Sequence, residues 1–167
     1  MIHYISGGQR SGKTNYAEQQ ALLLSDMPVY LATSRIWDDD HKARIQLHKN
    51  NRDTRWENIE EEKQISRLKL PNKTVVLDCI TLWLTNFFVD NNYDTAAALA
   101  EAKREFDAFA KQNFNLIIIS NEIGMGVHAS TEGGRKFADL QGWMNQYIAQ
   151  QADKATLMVS GLPLTLK

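Results

Sequence analysis

The sequence predicts an α/β protein in which a mostly parallel central sheet is flanked by helices. Short apolar runs alternate along the chain with longer amphipathic ones, which is strand and helix in repetition. The runs are apolar on successive residues, as strands covered on both faces require. A glycine-rich turn stands between the first run and the first amphipathic stretch, at residues 7–14.

In chain order, "IHYIS" (2–6) is the first strand and 13–25 the first helix. "PVYLATS" (28–34) follows as a strand. Residues 35–57 are polar and poor in strand formers, and the spacing predicts a helix over 39–50 and another over 58–68. "TVVLDC" (74–79) reads as a strand, whereas "ITLWLTNFFVDNNY" (80–93) is aromatic but sits just beyond a strand end. Asp94 is placed to cap a helix over 95–112. "NLIIIS" (115–120) is a strand, 131–151 a helix, and "ATLMVSG" (155–161) a strand that "PLTLK" (163–167) extends by one more. Phe137, Leu140, Met144, Tyr147 and Ile148 have the spacing of a core-facing helix stripe. There is no internal repeat or low-complexity linker, so 1–167 is expected to form a single nucleotide-binding domain of the kind the glycine turn suggests.

Composition narrows the ligands. With 167 residues and 43% hydrophobic content the chain can bury a real core. Its 19 basic and 20 acidic side chains give a net charge of -1, so nothing in bulk attracts nucleic acid or an anionic membrane, and any anion site must be built locally. Small molecules are the expected ligands. Cys79 is the only cysteine, which excludes an internal disulfide and fits a reducing compartment. No long apolar segment or leader pattern is present, so the expectation is a cytoplasmic protein without membrane insertion.

The turn "GGQRSGKT" is the strongest chemical signal. Gly7, Gly12, Lys13 and Thr14 satisfy G-x-x-x-x-G-K-[ST] directly after a predicted strand and at the opening of a predicted helix. In such a P-loop, glycines let successive N–H groups turn toward phosphate oxygens, and the helix N-terminus adds a favourable dipole. Lys13 would reach the β/γ phosphates and Thr14 would bind Mg²⁺. Asp78, at the end of "TVVLD", is a candidate second metal ligand, although an aspartate there also serves simply to begin a turn. Glu122 in "IIISNEIGMG" is open in the same way: it positions substrate or metal, or it starts the turn.

A second unusual stretch is "WDDDHKARIQLHKNNR", where His41, Arg44, Ile45, His48 and Arg52 share one face at helical spacing. Such a face is commonly just a solvated basic surface. Beside a phosphate-binding loop it has a second use. Arg44 and Arg52 disfavour the protonated form of His48, which keeps the imidazole neutral and nucleophilic, while the cations hold polyphosphate.

The stretches "ISGGQRSGKTNYAE", "VYLATS", "RIQLHKNNR" with "RWENIE", "LDCITLWLTN", "SNEIGMGVH" and "VSGLPLTLK" run in order from end to end. Together they resemble the bifunctional adenosylcobinamide kinase and adenosylcobinamide-phosphate guanylyltransferase family of cobalamin biosynthesis. The resemblance implies a RecA-like P-loop NTPase fold, a homotrimer, a corrinoid substrate, and GTP and ATP as nucleotide substrates with Mg²⁺. It further implies two reactions, phosphorylation of adenosylcobinamide and then GMP transfer through a guanylyl-histidine.

By the same resemblance, Gly7, Gly8, Gln9, Arg10, Ser11, Gly12, Lys13 and Thr14 bind the nucleotide phosphates, with Lys13 also catalytic. Ala32, Thr33 and Ser34 add nucleotide contacts, as do Lys49, Asn50, Asn51 and Arg52. Glu60 and Asp78 complete the site, and His48 is the nucleophile. Leu47 precedes His48 where some relatives have a second histidine, and Asp53 stands where many have proline. Two rival readings are a simpler P-loop kinase for another small alcohol, which needs no nucleophilic histidine, and a non-catalytic GTP-sensing module. The aromatic run Leu82, Trp83, Leu84, Phe87 and Phe88 reads as core or as a subunit interface, with contact to the apolar face of a corrinoid a lesser alternative; because it is more apolar than one helix face usually buries, a subunit contact is expected near 82–88.

Overall fold

The computed structural model describes residues 1–35 and 54–167. Seven strands, β1 (Ile2–Gly7), β2 (Val29–Ala32), β3 (Glu57–Glu60), β4 (Thr74–Asp78), β5 (Asn115–Asn121), β6 (Lys154–Val159) and β7 (Leu162–Thr165), form one sheet in the order β3-β2-β4-β5-β1-β6-β7. All neighbouring pairs are parallel except β6 with β7. Four helices accompany them among the described residues: α1 (Lys13–Leu24), α2 (Ile80–Asp90), α3 (Thr95–Ala110) and α4 (Glu132–Gln151). This is the α/β architecture that the alternating pattern predicts.

The period-2 geometry of the strands divides the core into two layers. Ile5, Tyr30, Val76, Ile117 and Ile119 pack with Ala17 and Ala21 of α1 on one face. Tyr4, Val75, Leu77, Leu116 and Ile118 meet α2, α3 and α4 on the other. On α4, Leu140, Met144 and Ile148 are fully buried, and Phe137 and Tyr147 pack at the margin, as the stripe requires. Asp94 caps α3 by accepting from the Ala97 N–H at 2.9 Å. Cys79 is a buried packing residue whose thiol burial pushes up to about 12.

Two sequence expectations change. The helix expected over 58–68 is instead the edge strand β3 followed, at Ile65–Arg67, by a single 3-10 turn. Glu57 and Glu60 are poor strand formers, but pairing with β2 decides the conformation, and acidic side chains suit an exposed edge. The helix expected over 39–50 lies outside the described residues.

The second change concerns 80–93, which forms α2 over its first eleven residues. Of the readings open for its aromatic run, core is the one these side chains take: Trp83, Leu84, Phe87 and Phe88 are buried within the chain's own core, and Leu82 is partly open. Trp83 and Phe87 stack edge to face at 5.0 Å, and the Trp83 indole N–H donates to the Lys63 carbonyl at 3.1 Å. A helix apolar on most sides fits here because the sheet, α3 and α4 surround it.

We therefore expect Phe87→Ala to lower the unfolding free energy by about 3–5 kcal/mol in urea denaturation, the cost of emptying a well-packed aromatic site. A loss under about 1 kcal/mol would contradict this placement of the ring.

Candidate active site at the carboxyl ends of the strands

Sheet register brings the candidate residues to one edge. Ala32 of β2 pairs with Glu60 of β3 on one side and with Asp78 of β4 on the other, so these three form a row. Asp78 pairs with Ile119, and β5 continues two residues further to Asn121, which pairs with Gly7 of β1. The strand bearing Asp78 and the strand feeding the glycine loop are thus separated by β5 alone. Ligands of open α/β sheets bind at this carboxyl end.

Residues 7–14 leave β1 and enter α1 in a tight turn. Gly7 has φ 154°, and a Cβ there would lie 2.6 Å from the Met158 carbonyl oxygen. Gly12 has φ 93°, and a Cβ there would lie 3.2 Å from Gly161 Cα. Arg10 also takes a positive φ, of 56°. As N-cap of α1, Gly12 offers no side-chain acceptor, so the first-turn N–H groups of the helix remain available to an anion. Ser11 is buried, and its carbonyl accepts from the Gly161 N–H at 3.0 Å.

Lys13 is buried, with its ammonium donating to the Gly8 carbonyl at 2.5 Å and lying 3.4 Å from Ser11 Oγ. Burial holds its pKa below the ordinary lysine value, and the nearby Asp78 carboxylate opposes that shift. An amine held inside such a loop is placed to meet phosphate oxygens at little cost in ordering. Thr14 sits in the first turn of α1, and Asp78 lies on the α1 face of the sheet, where its Oδ2 accepts from the Tyr30 hydroxyl. A hydroxyl and a carboxylate are hard oxygen donors, and together with phosphates and water they suit Mg²⁺.

The remaining predicted residues divide. Ala32 ends β2 and Ser34 lies two residues beyond it, where its hydroxyl donates to the Arg35 carbonyl at 3.2 Å. Thr33 is fully buried with its polar groups engaged inside the protein: its N–H donates to Asp78 O, its hydroxyl to Cys79 O at 2.9 Å, and its carbonyl accepts from Asn86. Its geometry suits holding β2 against β4 rather than direct contact with a ligand. Glu60 is exposed at the end of β3. His48, Lys49, Asn50, Asn51 and Arg52, with His41, Arg44 and Asp53, lie outside the described residues.

Sequence reasoning missed the supports of this edge. Gly161, in the β6–β7 turn, braces the glycine loop, and only the "SGLP" string marks it as a turn. Buried Asn86 bridges the Thr33 and Glu62 carbonyls, at 2.9 and 2.8 Å. Arg35 pairs with Glu62 at 2.7 Å and with Asp90 at 2.9 Å, and Lys63 reaches Asp90 at 3.0 Å. Hydrogen bonds from Arg35 and Lys63 hold the Asp90 carboxyl down to about 2. No period or motif signals these long-range contacts.

Comparison with known proteins is decisive at this point: the family model described as cobinamide kinase / cobinamide phosphate guanyltransferase matches residues 3–166. The chain belongs to that family. It is 32% identical over 183 residues to the bifunctional adenosylcobalamin biosynthesis protein CobU of Escherichia coli (strain K12), with both chains covered in full. It is 33% identical over 184 residues to the protein of the same name from Salmonella typhimurium, again with both covered in full. Identity to the bifunctional adenosylcobalamin biosynthesis protein CobP of Pseudomonas aeruginosa is 32% over 171 residues, covering all of this chain and 98% of the other.

Asn86→Ala removes the shared donor of two carbonyls, Thr33 O and Glu62 O. The expected loss is about 2–4 kcal/mol of stability by chemical denaturation, since each orphaned buried acceptor costs about 1–3 kcal/mol. A change below about 0.5 kcal/mol, the size usual for a surface site, would contradict the bridging role.

Proposed function

We propose that this protein phosphorylates adenosylcobinamide and then transfers GMP from GTP to adenosylcobinamide phosphate, giving adenosylcobinamide-GDP. The observation that carries the reading is a family match over residues 3–166 that includes an unbroken phosphate-binding loop at the carboxyl edge of the sheet. In the kinase step the substrate hydroxyl oxygen attacks the γ-phosphorus of ATP or GTP, and the bond to the β-phosphate oxygen breaks. The loop from Gly7 to Thr14 holds the phosphates, and Lys13 neutralises charge that grows on them in the transition state. Mg²⁺, held by Thr14 and Asp78, would supply further charge neutralisation.

For the second step, His48 attacks the α-phosphorus of GTP with an unprotonated ring nitrogen, forming a P–N bond as the P–O bond to pyrophosphate breaks. The phosphate of the substrate then attacks the same phosphorus and displaces the histidine. Covalent catalysis suits this reaction, because direct attack of one phosphate on another joins two anions. Support for His48 is its place in the sequence between Arg44 and Arg52, which bias the imidazole to its neutral form. Ala32, Ser34, Lys49, Asn50, Asn51, Arg52 and Glu60 complete the nucleotide site in this proposal, with Thr33 as a support.

We expect His48→Ala to abolish an acid-labile, alkali-stable protein adduct labelled from α-phosphate, and with it guanylyl transfer. Phosphorylation of adenosylcobinamide by the same variant should stay within about tenfold of wild type, since γ-transfer needs no protein nucleophile. An α-labelled adduct that persists in the variant, or that maps to His41, would overturn the assignment. The simpler kinase reading predicts no adduct in either protein.

Assembly as a homotrimer acting in the cytoplasm belongs to the same proposal. Among the described residues no helix is long and apolar enough to cross a membrane. With the aromatic run buried, one group of exposed apolar side chains among the described residues lies on and just past the outer strands, at Val159, Leu162, Leu164 and Leu166. An apolar edge strand is a ready contact surface. Light scattering should give three times the 19.0 kDa chain mass; a monomer mass with and without nucleotide would contradict the trimer.

A further inference from the structure

We infer that Glu122 is the carboxylate that accepts the substrate hydroxyl proton in the kinase step, an inference that rests on the kinase reading above. Glu122 follows β5, the strand lying between the one that feeds the glycine loop and the one that ends in Asp78. Its backbone N–H donates to the Gly7 carbonyl at 3.0 Å, which ties it to the first residue of the loop. Asn121, just before it, is tied to α2 through Thr81 Oγ1 at 2.9 Å.

The side chain is held from behind. Asn145 of α4 donates from Nδ2 to Glu122 Oε1 at 3.0 Å and to the Asn121 carbonyl at 3.1 Å. The orientation of that amide is fixed, because Asn145 Oδ1 accepts from Ser120 Oγ at 2.6 Å and from Gln141 Nε2 at 2.9 Å. Gln141 Nε2 also donates to Ser120 Oγ at 2.9 Å, and all three residues are buried. The Tyr4 hydroxyl lies 3.5 Å from the same carboxylate oxygen. Burial first, and then the Glu122 charge, push the Tyr4 phenol well above its ordinary value, so it remains a donor. A buried network of this kind, in which only Gln141 Oε1 is left without a partner among Ser120, Gln141 and Asn145, orients one side chain at a considerable cost in desolvated polar groups. A glutamate that merely begins a turn has no use for it.

The position also suits the chemistry. In-line displacement puts attacking and leaving oxygens on opposite sides of phosphorus. Asp78 lies on the α1 face of the sheet with Tyr30, whereas Glu122 lies on the α4 face with Tyr4 and Asn145. A triphosphate lying in the glycine loop at this edge therefore has a carboxylate on either side. Glu122 takes the proton from the attacking hydroxyl as the new P–O bond forms and the nucleoside diphosphate leaves, and then returns it to solvent. The guanylyl step begins with attack by a ring nitrogen and needs no such acceptor.

The test is a pair of assays on one set of purified proteins, wild type, Glu122→Gln and Glu122→Asp, with adenosylcobinamide, GTP and Mg²⁺. In Glu122→Gln, kcat for phosphorylation should fall by about 10²–10⁴, the usual worth of a positioned base, with KM little changed. Glu122→Asp should recover part of the loss. The α-labelled adduct with GTP should form at the wild-type rate, which shows that the fold and the nucleotide site survive. Phosphorylation by Glu122→Gln within about threefold of wild type would overturn the inference, being far less than a positioned base supplies. So would equal loss of adduct formation, which marks a structural role. If wild type forms the adduct but phosphorylates nothing, the kinase reading itself falls, and this inference with it.

Discussion

The glycine loop is held by two backbone hydrogen bonds, from Glu122 N–H to Gly7 O and from Gly161 N–H to Ser11 O, both 3.0 Å. Much else in the molecule follows from what these contacts demand. The first requires β5 to lie beside β1 and to run two residues past the Asp78 row; the second requires β6 on the other side and a turn that brings Gly161 back over the loop. The approach from the β6 side needs bare backbone, because a Cβ at Gly7 would lie 2.6 Å from Met158 O and one at Gly12 would lie 3.2 Å from Gly161 Cα. A loop so braced presents its N–H groups without having to order itself when an anion arrives.

The same strand order separates two groups of polar side chains at one edge. Asp78, Thr14 and Lys13 belong to the α1 side, where a short path of charge and burial already couples lysine to aspartate. Glu122 belongs to the α4 side, behind which Ser120, Gln141 and Asn145 are joined by hydrogen bonds. Between the layers, Thr33 and Asn86 use their polar groups to join β2, β4 and α2. The edge is thus stiffened from both faces before any ligand is considered.

Much of this was legible in the sequence, and the reasons are local ones. The loop is a contiguous motif with its strand and helix adjoining, and the strand runs of Val, Ile and Leu have few alternative readings. Asp94 announces its helix because a cap acts on residues three positions away. What failed depended on distant partners. "ENIE" has the composition of a helix, yet the free edge of β2 makes it a strand. "ITLWLTNFFV" looked too apolar for one chain to bury, since the sequence does not show that α3 and α4 fold over it. The network behind Glu122 joins residues 120–122 to Gln141 and Asn145, one turn apart on α4, which otherwise look like part of an ordinary amphipathic face. For His48 the argument remains one of sequence, through Arg44 and Arg52 and the family resemblance.

The central claim is that one phosphate site, the loop from Gly7 to Thr14, serves the nucleotide chemistry of this protein. The most direct measurement is a crystal structure of the chain with Mg²⁺ and a GTP analogue that cannot be cleaved at the β,γ bond. The account predicts the triphosphate on the loop N–H groups, Lys13 Nζ within hydrogen-bond reach of the β and γ oxygens, and the metal between Thr14 and Asp78. A triphosphate bound elsewhere, for example on Arg35 and Lys63 beside Asp90, with the loop carrying no phosphate, would contradict it.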